Sequence, residues 1–556
     1  MSIHQYGRRA PVPQQAMQRL QPTLLPAPTR GICLHENEAF MQPGGAIVQD
    51  NWVSTMRGVK LRGGYIRHCD LHALDEPVPP VPSPLRLPVI SSFEYNSGNN
   101  QHMFAAQQTK LFDVTFGGPI LVKAGQTSGN YAASQLANAS GDYLIAVNDA
   151  GDAPLRYNGA AWETLDAGEI TGPLGSTVEA GGNLVYVWKY RNRLFFIEGG
   201  SMNVWYLPLN AVQGALSLVP LSGAATKGGR LLFGTTWSLD AGDGVDDKMV
   251  VATTEGELLV FTGSNPADPA NWRQEGRFEI SAPLGMNAHH PTGGDLLIAT
   301  VDGLVPVSGA ITKDKIQLEL AAISRPIKPM WRAEVMEKRE HPWTMEKWDE
   351  YGGMFVTWPY GVAGKRLCAV INLATGAWAR FVGWDATCWI KLRGELYFGT
   401  QSGIVMAADR TGYDDGNHAK IPYVATLVGG WGALRSQPAT TTWLQARASF
   451  SATGREPFKP QLSAATDFVL KLPPPPQAGA DPGLQEVWDQ GLWDDARWDQ
   501  PTAVAAPAVR STGWVSIGKS GFVHAPIVQV TVAQQVKPSV ELIAIAATFE
   551  PGGINV

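Results

Sequence analysis

Four aspartates lie close together in the segment SLDAGDGVDDKM, at Asp240, Asp243, Asp246 and Asp247. Clustered carboxylates can bind calcium, but the EF-hand loop requires acidic residues at alternate positions, a glycine at the sixth position and a glutamate at the twelfth. This segment lacks that spacing. It therefore predicts an acidic turn between strands rather than a calcium site.

His289 and His290 are the other side chains whose type and proximity suggest metal binding. Adjacent residues of a strand point to opposite faces, so the two rings cannot easily share one ion. We interpret them as a loop pair without a ligand role. The cysteines are scattered without a CxxC pair, which predicts buried free thiols at Cys33, Cys69, Cys368 and Cys388.

No recognised catalytic motif is present in the sequence. It contains no GxSxG, HExxH or P-loop pattern. Asp494 and Asp495 are sequence neighbours, which does not place two carboxylates across a substrate. We therefore expect no enzymatic activity, no cofactor and no metal. A hydrolase or lyase that uses a carboxylate pair is an alternative.

The composition favours β-structure in more than one domain. The chain has 556 residues with 60 Gly, 40 Pro and 19 Trp, and only 17% of its residues are charged. Glycine and proline mark turns, whereas tryptophan packs well in sheets.

No apolar run reaches the roughly 18 residues of a membrane span, and the first residues lack a signal-peptide core. We expect a protein without a membrane span, made in a cytoplasm.

A hairpin pattern recurs along the middle of the chain. Each unit is an apolar or alternating run, a turn rich in Gly, Asn or Asp, and a second short strand; the units begin near Met103, Tyr143, Leu194, Met249, Leu296, Met354 and Leu396. Their spacing is near the 40–50 residues typical of propeller blades. We predict a six- or seven-bladed β-propeller over residues 91–415. Tryptophans late in four units fit outer blade strands, at Trp162, Trp205, Trp272 and Trp378.

Residues 1–90 form the predicted N-terminal arm and docking segment. Residues 1–30 are rich in Pro, Gln and Arg, so we expect an extended arm that becomes ordered only against a partner. A proline-rich linker at 76–84 precedes the propeller. Residues 1–90 are locally basic, with Arg8, Arg9, Arg57, Arg62 and Arg67. These are either ordinary solvated charges or a surface that docks on an acidic partner, for which we predict Arg8, Arg9, Arg57 and Arg62 as the interface residues.

Residues 416–556 form the predicted smaller C-terminal β domain. A proline-rich connector begins at Pro473 and precedes three Trp-Asp pairs, at Trp488, Trp493 and Trp498. Their five-residue spacing matches neither a strand nor a helix. We predict a loop whose tryptophans fill separate pockets on a neighbouring subunit or on the propeller flank.

Several segments resemble a family of bacteriophage virion proteins encoded near the head–tail connector. They are 51–55, 58–64, 93–95, 104–106 and 112–115, the run WDQGLWDDARWD, and the closing HAPIVQV and VELIAIAATFEPGG. These proteins resemble the tail hub or nozzle subunits of podoviruses. The resemblance implies a structural, propeller-bearing subunit, six to a ring, below a dodecameric adaptor. It also implies a location in the virion tail and assembly in the host cytoplasm.

The net charge of -6 agrees with such a role, because an acidic conduit does not bind the phosphates of passing genomic DNA. The expected partners are further copies in a hexameric ring, the head–tail adaptor, and tail fibre or tailspike proteins. An alternative is a receptor- or glycan-binding propeller of a tail fibre or tailspike. Three-fold rather than six-fold symmetry would distinguish that alternative.

Overall fold

A computed structural model describes residues 22–35, 37–72, 86–238, 247–358, 367–416, 419–434, 440–452, 459–479 and 508–551. The protein is all-β, with 53% strand and 7% helix, as the sequence predicted. In the described ranges, no helix combines the length and the apolar character that crossing a membrane requires.

The strands before residue 72 are β1 (Thr23–Pro26), β2 (Ala46–Asp50), β3 (Trp52–Ser54), β4 (Val59–Leu61) and β5 (Gly64–Asp70). The next strands are β6 (Ser91–Ser97), β7 (Asn100–Ala106), β8 (Lys110–Asp113), β9 (Ile120–Ala124), β10 (Tyr131–Asn138), β11 (Gly141–Asn148), β12 (Leu155–Tyr157), β13 (Trp162–Thr164), β14 (Ile170–Thr171), β15 (Leu184–Tyr190), β16 (Arg193–Glu198), β17 (Asn203–Tyr206), β18 (Gly214–Ala215), β19 (Ser217–Pro220), β20 (Leu231–Trp237), β21 (Lys248–Thr253), β22 (Glu257–Thr262) and β23 (Arg273–Glu279).

The following elements are β24 (His289–Thr292), β25 (Asp295–Thr300), β26 (Gly303–Pro306), α1 (Val307–Thr312), α2 (Lys315–Ala321), α3 (Lys328–Lys338), β27 (Thr344–Trp348), β28 (Gly353–Thr357), β29 (Leu367–Asn372), β30 (Ala377–Val382), β31 (Ala386–Leu392), β32 (Glu395–Thr400) and β33 (Ile404–Thr411). The last strands are β34 (Asp414–Gly416), β35 (Ala419–Ile421), β36 (Tyr423–Gly429), β37 (Thr441–Ala452), β38 (Gln461–Thr466), β39 (Ala508–Ser511), β40 (Val515–Gly521), β41 (His524–Val532) and β42 (Val540–Pro551). Short 3-10 turns occur at Glu38–Phe40, Arg325–Ile327 and Asp349–Tyr351.

Seven antiparallel units follow one another in the described ranges. They are β6–β9, β10–β13, β15-β16-β17-β19, β20–β23, β24–β26, β27–β30 and β31-β32-β33-β5. The seven hairpins predicted from the sequence are confirmed, and each forms the second and third strands of a unit. The sequence interpretation missed the first strand of each unit.

The first strands of successive units contact one another. β6 contacts β10, β10 contacts β15, β15 contacts β20, β24 contacts β27, and β27 contacts β31. Strand β31 also contacts β6 of the first unit. Between β20 and β24, the rings of Phe233 and His289 stack with their centroids 4.0 Å apart.

Three helices follow β26, at the place where other units have a fourth strand. Asp314 caps α2, because its side chain accepts a hydrogen bond from the backbone N–H of Gln317 at 2.9 Å. On α3, the indole of Trp331 donates to the carbonyl of Thr300 at 3.0 Å and packs against Trp343. The sequence interpretation did not predict these helices.

A second core joins the two ends of the chain. One sheet has the order β3-β4-β42-β37-β39, with β40 also paired to β37 and β1 to β42; the facing strands are β2, β36, β41 and β38. Trp52 packs with Trp443, Phe450 and Leu542 in the core of this sandwich. Strand pairing therefore crosses the boundaries predicted near residues 90 and 415.

The prediction that residues 1–30 become ordered only against a partner is wrong for residues 22–30. Thr23–Pro26 pairs with Ala544–Ala547 of β42 in the same chain. Ala27 is buried, and its N–H donates to the carbonyl of Ile543. Burial of this segment against its own sandwich needs no partner protein.

Candidate functional site

Arg57 and Arg62 were predicted together as docking residues, but the structure separates them. Arg57 is exposed, whereas the side chain of Arg62 is fully buried. Its guanidinium donates to both carboxylate oxygens of Asp414 at 2.8 Å and to Oδ1 of Asn51 at 2.7 Å, and lies 3.9 Å from the ring centroid of Tyr423. The prediction that Arg62 docks a partner is corrected, because its donors are used inside the protein.

The other predicted interface residues lie outside the described ranges. These are Arg8, Arg9, Trp488, Trp493 and Trp498. Asp240, Asp243 and Asp246 of the acidic segment also lie outside them, while Asp247 is buried and accepts from the hydroxyl of Ser238 at 2.5 Å.

A cavity of about 230 Å³, called the axial cavity below, lies among the first strands of six units. Its lining comes from β6, β10, β15, β24, β27 and β31, together with the residues just before β6 and β24: Ile90, Ser91, Ser92, Phe93, Tyr131, Ala132, Ala133, Tyr186, Asn287, His289, Thr344, Met345, Glu346, Cys388 and Trp389. Residues far apart in the chain therefore meet at one place because equivalent strands face it.

Three larger spaces adjoin the axial cavity. A space of about 460 Å³ shares Ala133 and Tyr186 with it and adds β20 to the lining. A polar funnel of about 910 Å³ shares Ile90 and Asn287. A mouth of about 840 Å³, called the lower mouth below, is lined by the adjacent parts of β6, β27 and β31.

Glu346 is the centre of a charged cluster between the axial cavity and the lower mouth. Its Oε1 lies 3.0 Å from Nζ of Lys391 and 3.5 Å from Nε2 of His290. Burial acts to raise the pKa of Glu346, but the hydrogen bond and charge of His290, with those of Lys391, hold the pKa below its usual value. Glu346 is therefore an ionised carboxylate at neutral pH.

Glu94 has the opposite perturbation. Glu94 lines the lower mouth and is exposed there. The surrounding protein nevertheless displaces water from the carboxyl group, which raises its pKa. The charge of Lys391 lowers this pKa, and the charge of Glu346 raises it further. The pKa of Glu94 is thus raised and that of Glu346 is lowered, although Lys391 interacts with both carboxyl groups.

His289 and His290 lie on strand β24, not in the loop that the sequence suggested. They contact different neighbours, since His289 stacks on Phe233 whereas His290 approaches Glu346. Burial, and then the neighbouring charge of His290, lower the pKa of His289 to about 3, so its ring is neutral.

The cluster can both donate and accept hydrogen bonds. In the described ranges, no group of three or more His, Cys, Asp or Glu side chains is placed to hold a metal ion. Sequence reasoning missed Glu94, Glu346 and Lys391, because they share no motif and are far apart in the sequence. Glu94 is hundreds of residues from the other two, and Glu346 and Lys391 are tens of residues from each other. They lie on β6, β27 and β31, first strands that the sequence interpretation had missed.

No family model and no curated protein matches this chain. Among solved structures, the β-propeller domain of Cps50 (Swd1) from Myceliophteria thermophila is similar with a TM-score of 0.37 and 11% identity, over 63% of this chain and 100% of that one. The computationally designed Ika8 protein gives 0.33 and 9%, over 66% and 99%. The extracellular domain of the hybrid two-component system BT3049 from B. thetaiotaomicron gives 0.39 and 9%, over 74% and 56%. Similarities this low carry no information on function.

Proposed function

We propose that this protein is a structural subunit of a short bacteriophage tail, which assembles into a hexameric hub or nozzle ring that continues the DNA conduit below the adaptor. The resemblance of its sequence segments to such virion proteins is the starting point. An exposed apolar corner of the second core, described below, is the structural observation that carries the assembly part of the proposal.

We further propose that the seven units close into a seven-bladed β-propeller. The contact between β31 and β6, the last and first units, supports closure. Strand β5 supports it as well, since this early strand pairs with β33 and completes the last unit. A strand that precedes the first unit and completes the last one prevents the ring from opening between those two units.

The apolar corner consists of Phe468, Val469, Leu470 and Phe522. These side chains are between 39% and 68% exposed. The carboxylate of Asp467 accepts from the backbone N–H of Phe522 at 2.7 Å, which holds the two segments together. Exposed large apolar side chains that cluster in this way mark protein–protein interfaces.

Within the described ranges, β39 and β40 form an edge of the sheet that contains β37. All four residues of β39 are exposed, as is most of β40, and both strands pair with β37 on one side. An edge strand leaves backbone donors and acceptors free for another chain. A subunit with an apolar corner and an open edge is suited to a heterologous contact, the type that closes a ring.

The assembly proposal is tested with Val469→Glu combined with Phe522→Lys. We expect the native chain to form a ring and the double variant to stay monomeric, because charges at an apolar interface must be desolvated. Multi-angle light scattering measures both masses. Leu174→Glu combined with Met336→Glu is the matched control, since those side chains are 93% and 86% exposed outside the corner. An unchanged mass for the corner variant contradicts this interface.

The tail assignment is tested separately by imaging virions that carry a labelled copy of the chain. Label in a six-fold ring below the adaptor supports the proposal. Label on three-fold appendages would instead support the receptor- or glycan-binding alternative.

A further inference from the structure

The cluster at Glu346 has unused hydrogen-bonding capacity. Oε1 of Glu346 faces Lys391 and His290 and also accepts from the backbone N–H of Lys347 at 3.2 Å. Within the described ranges, no donor reaches Oε2. A carboxylate oxygen accepts hydrogen bonds readily, so Oε2 offers a fixed acceptor to a ligand.

Lys391 supplies donors beside this acceptor. Its ammonium group has three donors, and its one hydrogen bond to a side chain in the described ranges goes to Glu346. The side chain of Lys391 is 37% exposed and lines the lower mouth, whereas that of Glu346 is 18% exposed and lines the axial cavity. The pair is therefore reached without unfolding at the place where the two spaces meet. A donor and an acceptor therefore stand next to each other on neighbouring strands β31 and β27.

Aromatic side chains form part of the wall of the axial cavity. Trp389 precedes Lys391 by two residues on β31, and Phe93 immediately precedes Glu94 on β6; both line the cavity. Aromatic surfaces pack against the C–H faces of ring-shaped polar ligands while polar groups bind the edges. The cavity thus pairs apolar walls with a few fixed polar groups.

The cluster contains charges of both signs, because Lys391 lies beside Glu94 and Glu346. A strong anion would meet two carboxylates, whereas a strong cation would meet the ammonium group. A neutral molecule that both donates and accepts hydrogen bonds meets no such penalty.

We propose that a neutral, polyhydroxylated ligand of the size of one sugar ring binds where the axial cavity meets the lower mouth, with its hydroxyl groups on Glu346 and Lys391. At about 230 Å³ the axial cavity is smaller than the ~300–1,000 Å³ usual for drug-sized ligands, which favours a single ring. The site does not include the apolar corner, so ligand binding and ring assembly are separate properties.

The test uses D-glucose, D-galactose and N-acetyl-D-glucosamine as probes of the purified full-length protein. Saturation-transfer NMR detects binding, and calorimetric titration gives its affinity. We expect at least one sugar to bind, and we expect Glu346→Gln and Lys391→Met each to weaken binding about tenfold or more, because a hydrogen bond to a charged group is lost. Circular dichroism establishes that each variant is folded.

Glu275→Gln is the matched control, because Glu275 forms a comparable ion pair with Lys248 at 2.7 Å on another part of the chain. It should leave sugar binding unchanged. The proposal is overturned if no probe gives saturation transfer, or if Glu275→Gln weakens binding as much as Glu346→Gln. Binding of acetate or methylamine at Glu346 in place of the sugars would also overturn it.

Discussion

Arg62 shows how one residue joins three parts of this chain. Asn51 comes from the N-terminal strands, Asp414 follows the last unit, and Tyr423 begins the second core; all three contact the same guanidinium. A fully buried charge is tolerated because each of its faces has a partner. The residue therefore stabilises the junction between the two cores.

Arg62→Ala should lower the free energy of unfolding by about 3–5 kcal/mol, because it leaves the carboxylate of Asp414 buried without its partner. Urea denaturation at neutral pH measures the change. Arg57→Ala is the matched control and should change stability by no more than about 0.5 kcal/mol, since Arg57 is exposed. Equal effects of the two substitutions would contradict the buried role of Arg62.

Glu257 gives a prediction that depends on pH. Its side chain is buried and accepts hydrogen bonds from the backbone N–H groups of Thr226 and Lys227 and from the hydroxyl of Thr226 at 2.7 Å. Burial acts to raise its pKa, but these hydrogen bonds, helped by Arg277, hold the pKa below its usual value. The carboxylate therefore stabilises the fold above the pKa of the unfolded chain, about 4.3.

Glu257→Gln should cost about 1–3 kcal/mol at pH 7, because one acceptor becomes a donor that faces other donors. As the pH falls below the unfolded pKa and through the lower folded value, the native protein loses this contribution and the two proteins should converge. Urea denaturation at neutral and acidic pH measures both differences. A constant difference across this range would show that Glu257 does not act through its charge.

At the scale of elements, neighbouring units interlock through a glycine. Gly234 of β20 lies against the indole of Trp188 of β15, and a Cβ at Gly234 would come within 2.5 Å of that ring. Because Gly234 has no side chain, the indole of Trp188 fits between the two units. The packing explains why a glycine is found inside a strand, where it otherwise weakens the sheet.

Gly234→Ala should destabilise the protein by about 1–3 kcal/mol, because the added methyl group forces the buried indole to move. Gly223→Ala is the control, since a Cβ there meets nothing within 4 Å. Thermal unfolding of both variants gives the comparison. Similar melting temperatures for the two would argue against close packing of Trp188 on β20.

At the scale of the whole molecule, the N-terminal strands belong to both cores. β5 completes the unit of β31, β32 and β33, while β1, β3 and β4 join the sandwich. Early residues are thereby held against residues several hundred positions later. Such non-local pairing slows folding, because the long intervening chain must be closed into a loop before the strands can pair.

Deletion of residues 1–71 should therefore yield an aggregating chain, because β33 and β42 lose strands and expose open edges. Deletion of residues 1–21, which ends before β1, should leave a soluble protein with a native circular dichroism spectrum. Size-exclusion chromatography and thermal unfolding compare the two truncations. A soluble, cooperatively unfolding product of the longer deletion would contradict the role given to β5.

The sequence by itself determined the all-β class and the hairpins. Local turn residues and apolar alternation set the second and third strands of each unit, because both strands and their turn are close in sequence. The same local signals, an alternation at 440–470 and apolar runs at 525–532 and 540–546, coincide with β37, β38, β41 and β42 in the structure. These features depend on short-range preferences.

Only the tertiary structure decided the rest. The first strands of the units were missed, since their burial comes from neighbouring units and leaves no clear period in sequence. The sequence predicted Arg62 to be a docking residue, because its partner Asp414 lies 352 residues later and comes close only in the folded chain. Glu94, Glu346 and Lys391 likewise form one site because strands of different units meet at the axial cavity, and proximity of that kind is a property of packing rather than of local sequence.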